Sequence, residues 1–143
     1  MAHYLFNTAM GDVATGSTPG ELAQAAMRVR LWGVEPDEPH GPVLAPGDLV
    51  LIYLGAPRRV FVGSAELGSP VHRWTTPEAR VYPGDSAGGV SLAHVQEWDP
   101  HVSMHAVLAA IGPSGTAKAD FSAGVVRITA EEYETALAVR ASL

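Results

Sequence analysis

The 143-residue chain has no cysteine, which excludes a disulfide framework, a thiolate metal site and a cysteine nucleophile. It also lacks any apolar run close to the roughly 20 residues that a membrane-spanning helix needs. Lysine is almost absent, since Lys118 is the single lysine beside eight arginines. The net charge of −6 argues against tight non-specific binding of nucleic acid, which depends on many cations. This charge is still compatible with a pocket that grips one base.

The rest of the composition is typical of a small globular protein. Hydrophobic residues make up 47% of the chain, and the length fits one domain over residues 1–143. The first residues, MAHYLFN, lack the basic segment and long apolar stretch of a secretory signal. We therefore expect a cytoplasmic protein.

The first half of the chain predicts a strand, a helix and then two paired strands. Thr18 and Glu21 have the spacing of a capping box, and Pro19 fits the first helical position. The apolar pattern continues this helix over 19–30, with a buried stripe of Leu22, Ala25, Ala26 and Val29. The strands are predicted at 3–7, 48–55 and 59–67, and the Pro-rich residues 35–47 form a loop.

The second half predicts a long loop over 68–89, a strand over 90–98 and a helix over 100–111 that Asp99 caps. A last strand at 125–128 precedes a second capping box, Thr129 with Glu132, at the start of a C-terminal helix. Short strands interspersed with helices indicate an α+β fold. The architecture we expect is a small, mixed, mostly antiparallel β-barrel flanked by helices.

Two aromatic residues occupy the ends of predicted elements in LWGVEPDEPHGPVLAPGDLVLIYLG. Trp32 follows the first helix and precedes Gly33, which lets another group approach the backbone closely. Tyr53 ends the strand after the PGD turn. An indole face beside backbone donors and acceptors suits stacking on a planar base. We interpret Trp98, at another strand end, as a core residue.

Three histidines raise a metal site as an alternative to a base-binding site. His101 and His105 are four residues apart on the predicted helix, where they would share one face, and His94 lies just upstream. HVSMH lacks the glutamate of a metalloprotease helix, and the spacing places no third ligand. We therefore predict no metal, no cofactor and no catalytic residue, and surface histidines instead.

Several short blocks of the chain, in order, resemble the EVE domain, a family of the PUA-like superfamily related to the YTH readers of methylated RNA. They are HYLFNT, LWGV after the first helix, PGDLVLIYLG with VFVGSAEL, Tyr82-Pro83 and the ending VVRITAEEYETAL. The resemblance covers nearly the whole chain. It implies a small mixed β-barrel that binds a modified nucleobase without catalysis, and for bacterial members modified cytosine in DNA is the leading ligand.

Carried over position by position, the resemblance implies a set of contact residues. The ligand-binding residues would be Asn7, Thr8, Trp32, Gly33, Val34, Tyr53, Phe121 and Ser122. Independently of the resemblance, the predicted hairpin turn makes Arg58 and Arg59 the first candidates for contacts to the nucleic-acid backbone, followed by Arg28, Arg30 and Lys118. The chain departs from the commoner EVE pattern after Trp32, where EPDEPH places three acids and a histidine. Acids facing a phosphate backbone lower affinity.

The sequence therefore predicts a non-catalytic module that flips and binds a modified cytosine or adenine in DNA or RNA. Two alternatives stay open. One is a binder of a free small molecule such as a nucleoside, and the other is a metal-dependent hydrolase that uses the histidine cluster. A nuclease or restriction-system partner is compatible with the first function, and no membrane partner is expected.

Overall fold

The computed structural model describes residues 1–8, 18–55, 58–111 and 124–143. The strands of this part are β1 (His3–Thr8), β2 (Leu31–Gly33), β3 (Leu49–Leu54), β4 (Val60–Leu67), β5 (His72–Arg73), β6 (Gly88–Ser103) and β7 (Val125–Ile128). The helices are α1 (Pro19–Val29), α2 (Thr76–Val81), α3 (Met104–Ile111) and α4 (Ala130–Ala141), with a short 3-10 turn at Gly41–Val43. None of these helices is long and apolar enough to span a membrane.

The strands form one curled sheet in the order β2-β6-β4-β3-β1-β7, and β5 pairs with β6 outside this path. β1 pairs with β3 in parallel, whereas β7, β4, β6, β2 and β5 join their neighbours in antiparallel pairs. This mixed, mostly antiparallel half-barrel with flanking helices confirms the predicted fold class.

The sheet buries both of its faces because the strands alternate apolar residues to either side. On β3, Val50, Ile52 and Leu54 enter one cluster, which α1 covers with Ala23, Ala26 and Met27. The alternate residues Leu51 and Tyr53 enter a second cluster, which α3 and α4 cover with Met104, Val107, Tyr133 and Ala136. We call these the α1 face and the α3/α4 face.

Helix caps account for the helix starts. The Thr18 hydroxyl accepts from the Glu21 N–H at 3.2 Å, and the Glu21 carboxylate accepts from the Thr18 N–H. Thr129 and Glu132 repeat the arrangement at α4. Both predicted capping boxes are thus confirmed, but the buried stripe of α1 is shifted. Ala23, Ala26 and Met27 are its buried residues, while Leu22, Ala25 and Val29 are partly exposed.

Three regions differ from the sequence prediction, and the first is Leu31–Gly33, which forms β2 although no strand was predicted there. The predicted loop 68–89 contains β5 and α2, and α2 begins with a third capping box between Thr75 and Glu78. β6 continues to Ser103, so the prediction that Asp99 caps a helix at 100 was wrong. Residues 102 and 103 still pair with β4, and α3 starts only where the Ser103 hydroxyl accepts from the Ala106 N–H at 3.1 Å.

Candidate functional site

Trp32 lies on the α1 face, at the short strand that follows α1. Its ring stacks on Phe6, with centroids 5.9 Å apart and 25° between the ring planes. Only 7% of the residue is exposed. In the described structure the indole is therefore part of the core, and its contact with a ligand stays a prediction.

Gly33 and Val34 lie against the segment that contains β5 and α2. The Gly33 N–H donates to the Tyr82 hydroxyl at 3.1 Å, and the Val34 N–H donates to the Gly88 carbonyl at 3.0 Å. A side chain at Gly33 would collide with that hydroxyl and come within 2.8 Å of Ser86 Oγ. The absence of a side chain at Gly33 therefore serves close packing of the protein on itself. Val34 is buried.

This segment, residues 69–88, is held together by His72. Its Nε2 lies 2.9 Å from a Glu78 carboxylate oxygen, and its Nδ1 lies 3.1 Å from the Pro70 carbonyl oxygen. These hydrogen bonds raise the pKa of His72, and bonds to Thr75 and His72 lower the pKa of Glu78. Trp74 stands edge-on to the imidazole. Hydrogen bonds and an aromatic contact of His72 therefore connect residues within this segment.

Tyr53 lies on the α3/α4 face, away from Trp32. It is 2% exposed and packs against Phe61, with ring centroids 5.2 Å apart. Burial raises the pKa of its hydroxyl, and the charge of Arg59 partly offsets the rise. Trp32 and Tyr53, which were both expected to contact the ligand, therefore pack in separate clusters on opposite faces of the sheet. Successive residues of β3 point to opposite faces of the sheet. Ile52 and Leu54 point to the face where Trp32 lies, and Tyr53 points to the other face.

Asn7 and Thr8 are half-buried at the end of β1, directly after the residue that stacks on Trp32. They pair with Tyr53 and Leu54 of β3, and the Asn7 N–H donates to the Gly124 carbonyl at 2.9 Å. By alternation, Thr8 shares the α1 face with Trp32, whereas Asn7 shares the side of Tyr53. The implied contact set is thus divided between two faces. Phe121, Ser122 and Lys118 lie outside the described residues.

A concave surface of about 570 Å³ lies between α1 and residues 97–101 of β6. We call it the α1 groove. The apolar lining residues Met27, Leu54 and Val62 are almost fully buried, with 1% to 5% of each exposed. Trp98 also lines the groove but packs in the cluster of the α3/α4 face. The polar lining of the groove includes Glu21, Gln24 and Arg28 of α1 and Glu97, Asp99 and His101 of β6, together with Arg58. This volume is in the range of about 300–1,000 Å³ that is typical of ligand pockets.

Arg58 connects the two walls of the groove. Its Nη2 lies 3.3 Å from His101 Nδ1 of β6. On the other side, a Cβ added at Gly20 of α1 would lie 3.2 Å from Arg58 Nη1. A guanidinium only donates, so Nδ1 accepts, and a neutral His101 then carries its proton on Nε2. At the other end, Arg28 forms an ion pair of 3.5 Å with Glu97 across the groove.

Sequence reasoning singled out Arg58 and Arg28 as phosphate contacts and His101 as a candidate metal ligand, but it did not predict that these residues line one groove. Gln24 and Arg28 are four residues apart on the exposed face of α1, and this spacing was a readable signal. The continuation of the strand through residues 99 and 101 was hidden because Asp99-Pro100 resembled a helix cap. Arg59 is exposed next to Arg58 but contributes no side chain to the groove lining.

The predicted histidine pair is separated by an element boundary. His101 belongs to β6 and His105 to α3, so they do not share a helix face, and both are exposed along with His94. Among the described residues no group of three His, Cys, Asp or Glu side chains has the arrangement of a metal site.

Comparison with solved structures confirms the predicted mixed α+β fold. A Rhodopseudomonas palustris protein is 18% identical, with a TM-score of 0.63 over 100% of this chain and 95% of its own. Human THYN1, solved in complex with DNA containing 5-methylcytosine, is 11% identical, with a TM-score of 0.64 over 98% of both chains. The ASCH protein of Zymomonas mobilis is 12% identical, with a TM-score of 0.53 over 96% of this chain and 94% of its own. No family model matches the sequence, and no curated protein matches it.

Proposed function

We propose that this protein is a nucleic-acid-binding module that recognises a modified base, with methylated cytosine in DNA as the first candidate. The observation that carries the proposal is the fold match to human THYN1, which was solved with 5-methylcytosine-containing DNA and matches over 98% of both chains. The match alone supports only the fold, so the function must also be supported by surfaces of this chain.

The α1 groove supports the proposal by its size and by its mixture of apolar and polar lining. A base that enters a pocket must leave the helical stack, at a cost of about a few kcal/mol. Hydrogen bonds to the polar rim would supply most of the interactions that offset this cost, because Met27, Leu54 and Val62 leave little apolar surface exposed.

The charge of the chain predicts few contacts between its cations and the phosphate backbone of a nucleic acid. Arg58 and Arg59 are exposed immediately before β4, whereas the net charge of the chain is −6. Each neutralised phosphate lowers the logarithm of the binding constant by about 0.9 per unit of log salt. We therefore expect a shallow salt dependence, with a slope of about −2 if these two arginines dominate.

A free nucleoside is the second candidate ligand. Glu35 and Asp37 are exposed immediately after Val34, and they would repel a polyanion approaching that side. Binding of a nucleoside would be nearly independent of salt, which distinguishes it from binding of a strand.

We further propose that the module has no hydrolytic activity of its own. His101 and His105 lie on different elements, which argues against a metal-dependent hydrolase built on this pair. Stoichiometric zinc in protein purified without added metal, and lost in both His101→Ala and His105→Ala, would overturn this part of the proposal.

The experiment that tests the proposal is an equilibrium binding screen by fluorescence anisotropy. Short duplexes and single strands carrying 5-methylcytosine, N6-methyladenine or only unmodified bases are titrated at several salt concentrations. We expect saturable binding that favours one modified base and has a shallow salt slope. A failure of every oligonucleotide to bind at low salt would contradict the nucleic-acid function, and salt-independent binding of nucleosides alone would support the second candidate.

A further inference from the structure

We propose that the 69–88 segment is a pH-responsive element, which is closed on β2 while the His72 imidazole carries a proton on both nitrogens and is released when the ring loses one. The inference concerns a conformational change within the protein. It does not depend on the proposed function, because no contact to a ligand enters it.

Both ring nitrogens of His72 face hydrogen-bond acceptors. Nε2 lies 2.9 Å from a Glu78 carboxylate oxygen, and Nδ1 lies 3.1 Å from the Pro70 carbonyl oxygen. The Ser69 hydroxyl is 3.4 Å from Nδ1, but it donates its own proton to the Pro70 carbonyl at 2.9 Å. A neutral imidazole has one N–H, so it would leave one of these acceptors opposite a ring lone pair. The imidazolium satisfies both sides.

The charges around His72 favour this doubly protonated ring. In the described residues Glu78 of α2 is the charged group that faces the ring, and β6 places Gly88-Gly89, which have no side chains, opposite β5. Arg73, the next residue of β5, is exposed and points to the other face of the strand. The hydrogen bonds to Pro70 and Glu78 raise the pKa of His72. The imidazolium therefore persists above pH 6.5, the ordinary pKa of histidine.

A continuous series of contacts links His72 to β2. Trp74 stands edge-on to the imidazole, with ring centroids 5.7 Å apart, and its indole N–H donates to the Ser86 carbonyl at 2.9 Å. The Tyr82 ring packs against Trp74, with ring centroids 4.9 Å apart. The Tyr82 hydroxyl accepts from the Gly33 N–H at 3.1 Å. The loss of a proton at His72 therefore acts on one end of a contact series whose other end holds β2.

The 69–88 segment has the features of an element that opens locally. β5 has two residues, and none of the six residues of α2 is buried. Segments with few buried apolar contacts open at a lower free energy than the core does. The segment can therefore be released while the rest of the sheet stays folded.

The test is amide hydrogen exchange, followed by NMR on the ¹⁵N-labelled full chain between about pH 5 and 9. Protection factors, which correct for the intrinsic pH dependence of exchange, are measured for the Gly33 N–H and for the Leu51 N–H in the centre of the sheet. The ring nitrogen shifts of His72 record its protonation in the same samples. As His72 loses a proton, protection at Gly33 should fall about tenfold, the effect of one lost hydrogen bond to a charged group, while protection at Leu51 stays constant.

Variants then assign the change to this histidine. His72→Gln does not titrate, so protection at Gly33 should no longer fall as the pH rises. Glu78→Gln removes the facing charge and should lower protection at Gly33 at the acidic end of the range. His105→Gln is the matched control, because His105 is exposed on α3, outside the 69–88 segment, and this variant should retain the full effect. Melting curves establish that each variant is folded.

Constant protection at Gly33 between these pH values, or an equal fall in His72→Gln, would overturn the inference. A parallel loss of protection at Leu51 would also overturn it, since the opening would then involve the whole sheet. A His72 ring that is neutral at every pH tested would contradict the doubly protonated state. If His72→Gln does not fold, Glu78→Gln decides, because unchanged protection at Gly33 in that variant would equally reject the proposal.

Discussion

The ring of Trp32 stacks on Phe6 within the cluster that α1 covers, with 5.9 Å between ring centroids. We expect Trp32→Ala to lower the free energy of unfolding by about 3–5 kcal/mol, as the truncation of a core tryptophan does. Oligonucleotide binding should then fall only in proportion to the unfolded fraction. Thermal melts and binding on one preparation measure both quantities.

The opposite pattern would assign Trp32 to the ligand. A mutant with nearly unchanged melting temperature that loses about 1–3 kcal/mol of binding would identify the indole as a stacking surface. Trp32→Phe serves as the control, because it retains an aromatic ring opposite Phe6 and should recover part of the lost stability.

The adjacent cations Arg58 and Arg59 are exposed at the start of β4. Replacing both by alanine should weaken oligonucleotide binding and flatten its salt slope by up to about two units, one for each lost phosphate contact. Arg80→Ala is the control, since Arg80 is exposed on α2, outside the groove lining. An unchanged slope in the double variant would exclude this pair from the interface.

Gly33 is expected to be intolerant of any side chain. A Cβ there would collide with the Tyr82 hydroxyl and lie within 3 Å of Ser86. Gly33→Ala should therefore lower the melting temperature. In a Tyr82→Phe background the same change should cost less, because one of the colliding atoms is gone. Equal costs in both backgrounds would show that the hydroxyl does not restrict this position.

The pair of His72 and Glu78 predicts a pH dependence of stability. Because the pKa of His72 is raised, the stability that this residue contributes to the fold is complete at a pH below 6.5, its ordinary pKa. That stability is lost as the pH rises through the raised pKa. The lowered pKa of Glu78 gives a contribution that is complete above 4.5 and is lost as the pH falls through the lowered value. The pair therefore stabilises the fold most between pH 4.5 and pH 6.5.

Thermal melts of the wild type and of Glu78→Gln between about pH 4.5 and 9 test this window. Glutamine retains the capping position of α2 but removes the charge. The stability advantage of the wild type should shrink as the pH rises above 6.5. A constant difference between the two proteins over this range would contradict a charged pair.

Local signals allowed much of the fold to be predicted from the sequence. The capping boxes at Thr18 and Thr129 fixed two helix starts, and apolar patterns fixed the central strands within one residue. The same capping signal at Thr75 and Glu78 was readable but was masked by the Gly, Pro and Ser content of the surrounding loop. Trp98 was correctly predicted in the core, with 1% exposure.

The candidate site was less accessible because it depends on pairing between distant segments. Tyr53 and Trp32 belong to different strands and face opposite sides of the sheet. Which side a residue at a strand end faces depends on how that strand pairs with its neighbours, and the sequence alone does not show this pairing. The α1 groove similarly joins residue 24 to residue 99 through packing of a helix on a strand. No spacing in the sequence encodes this proximity of α1 to β6.

The most direct test of modified-base recognition uses two duplexes that differ by one methyl group. One carries 5-methylcytosine and the other carries cytosine at the same position, and both are titrated with the wild-type protein at one salt concentration. We predict about tenfold tighter binding of the methylated duplex, the order of magnitude that one methyl group contributes in an apolar pocket. Equal affinities, or tighter binding of the unmodified duplex, would contradict recognition of methylated cytosine.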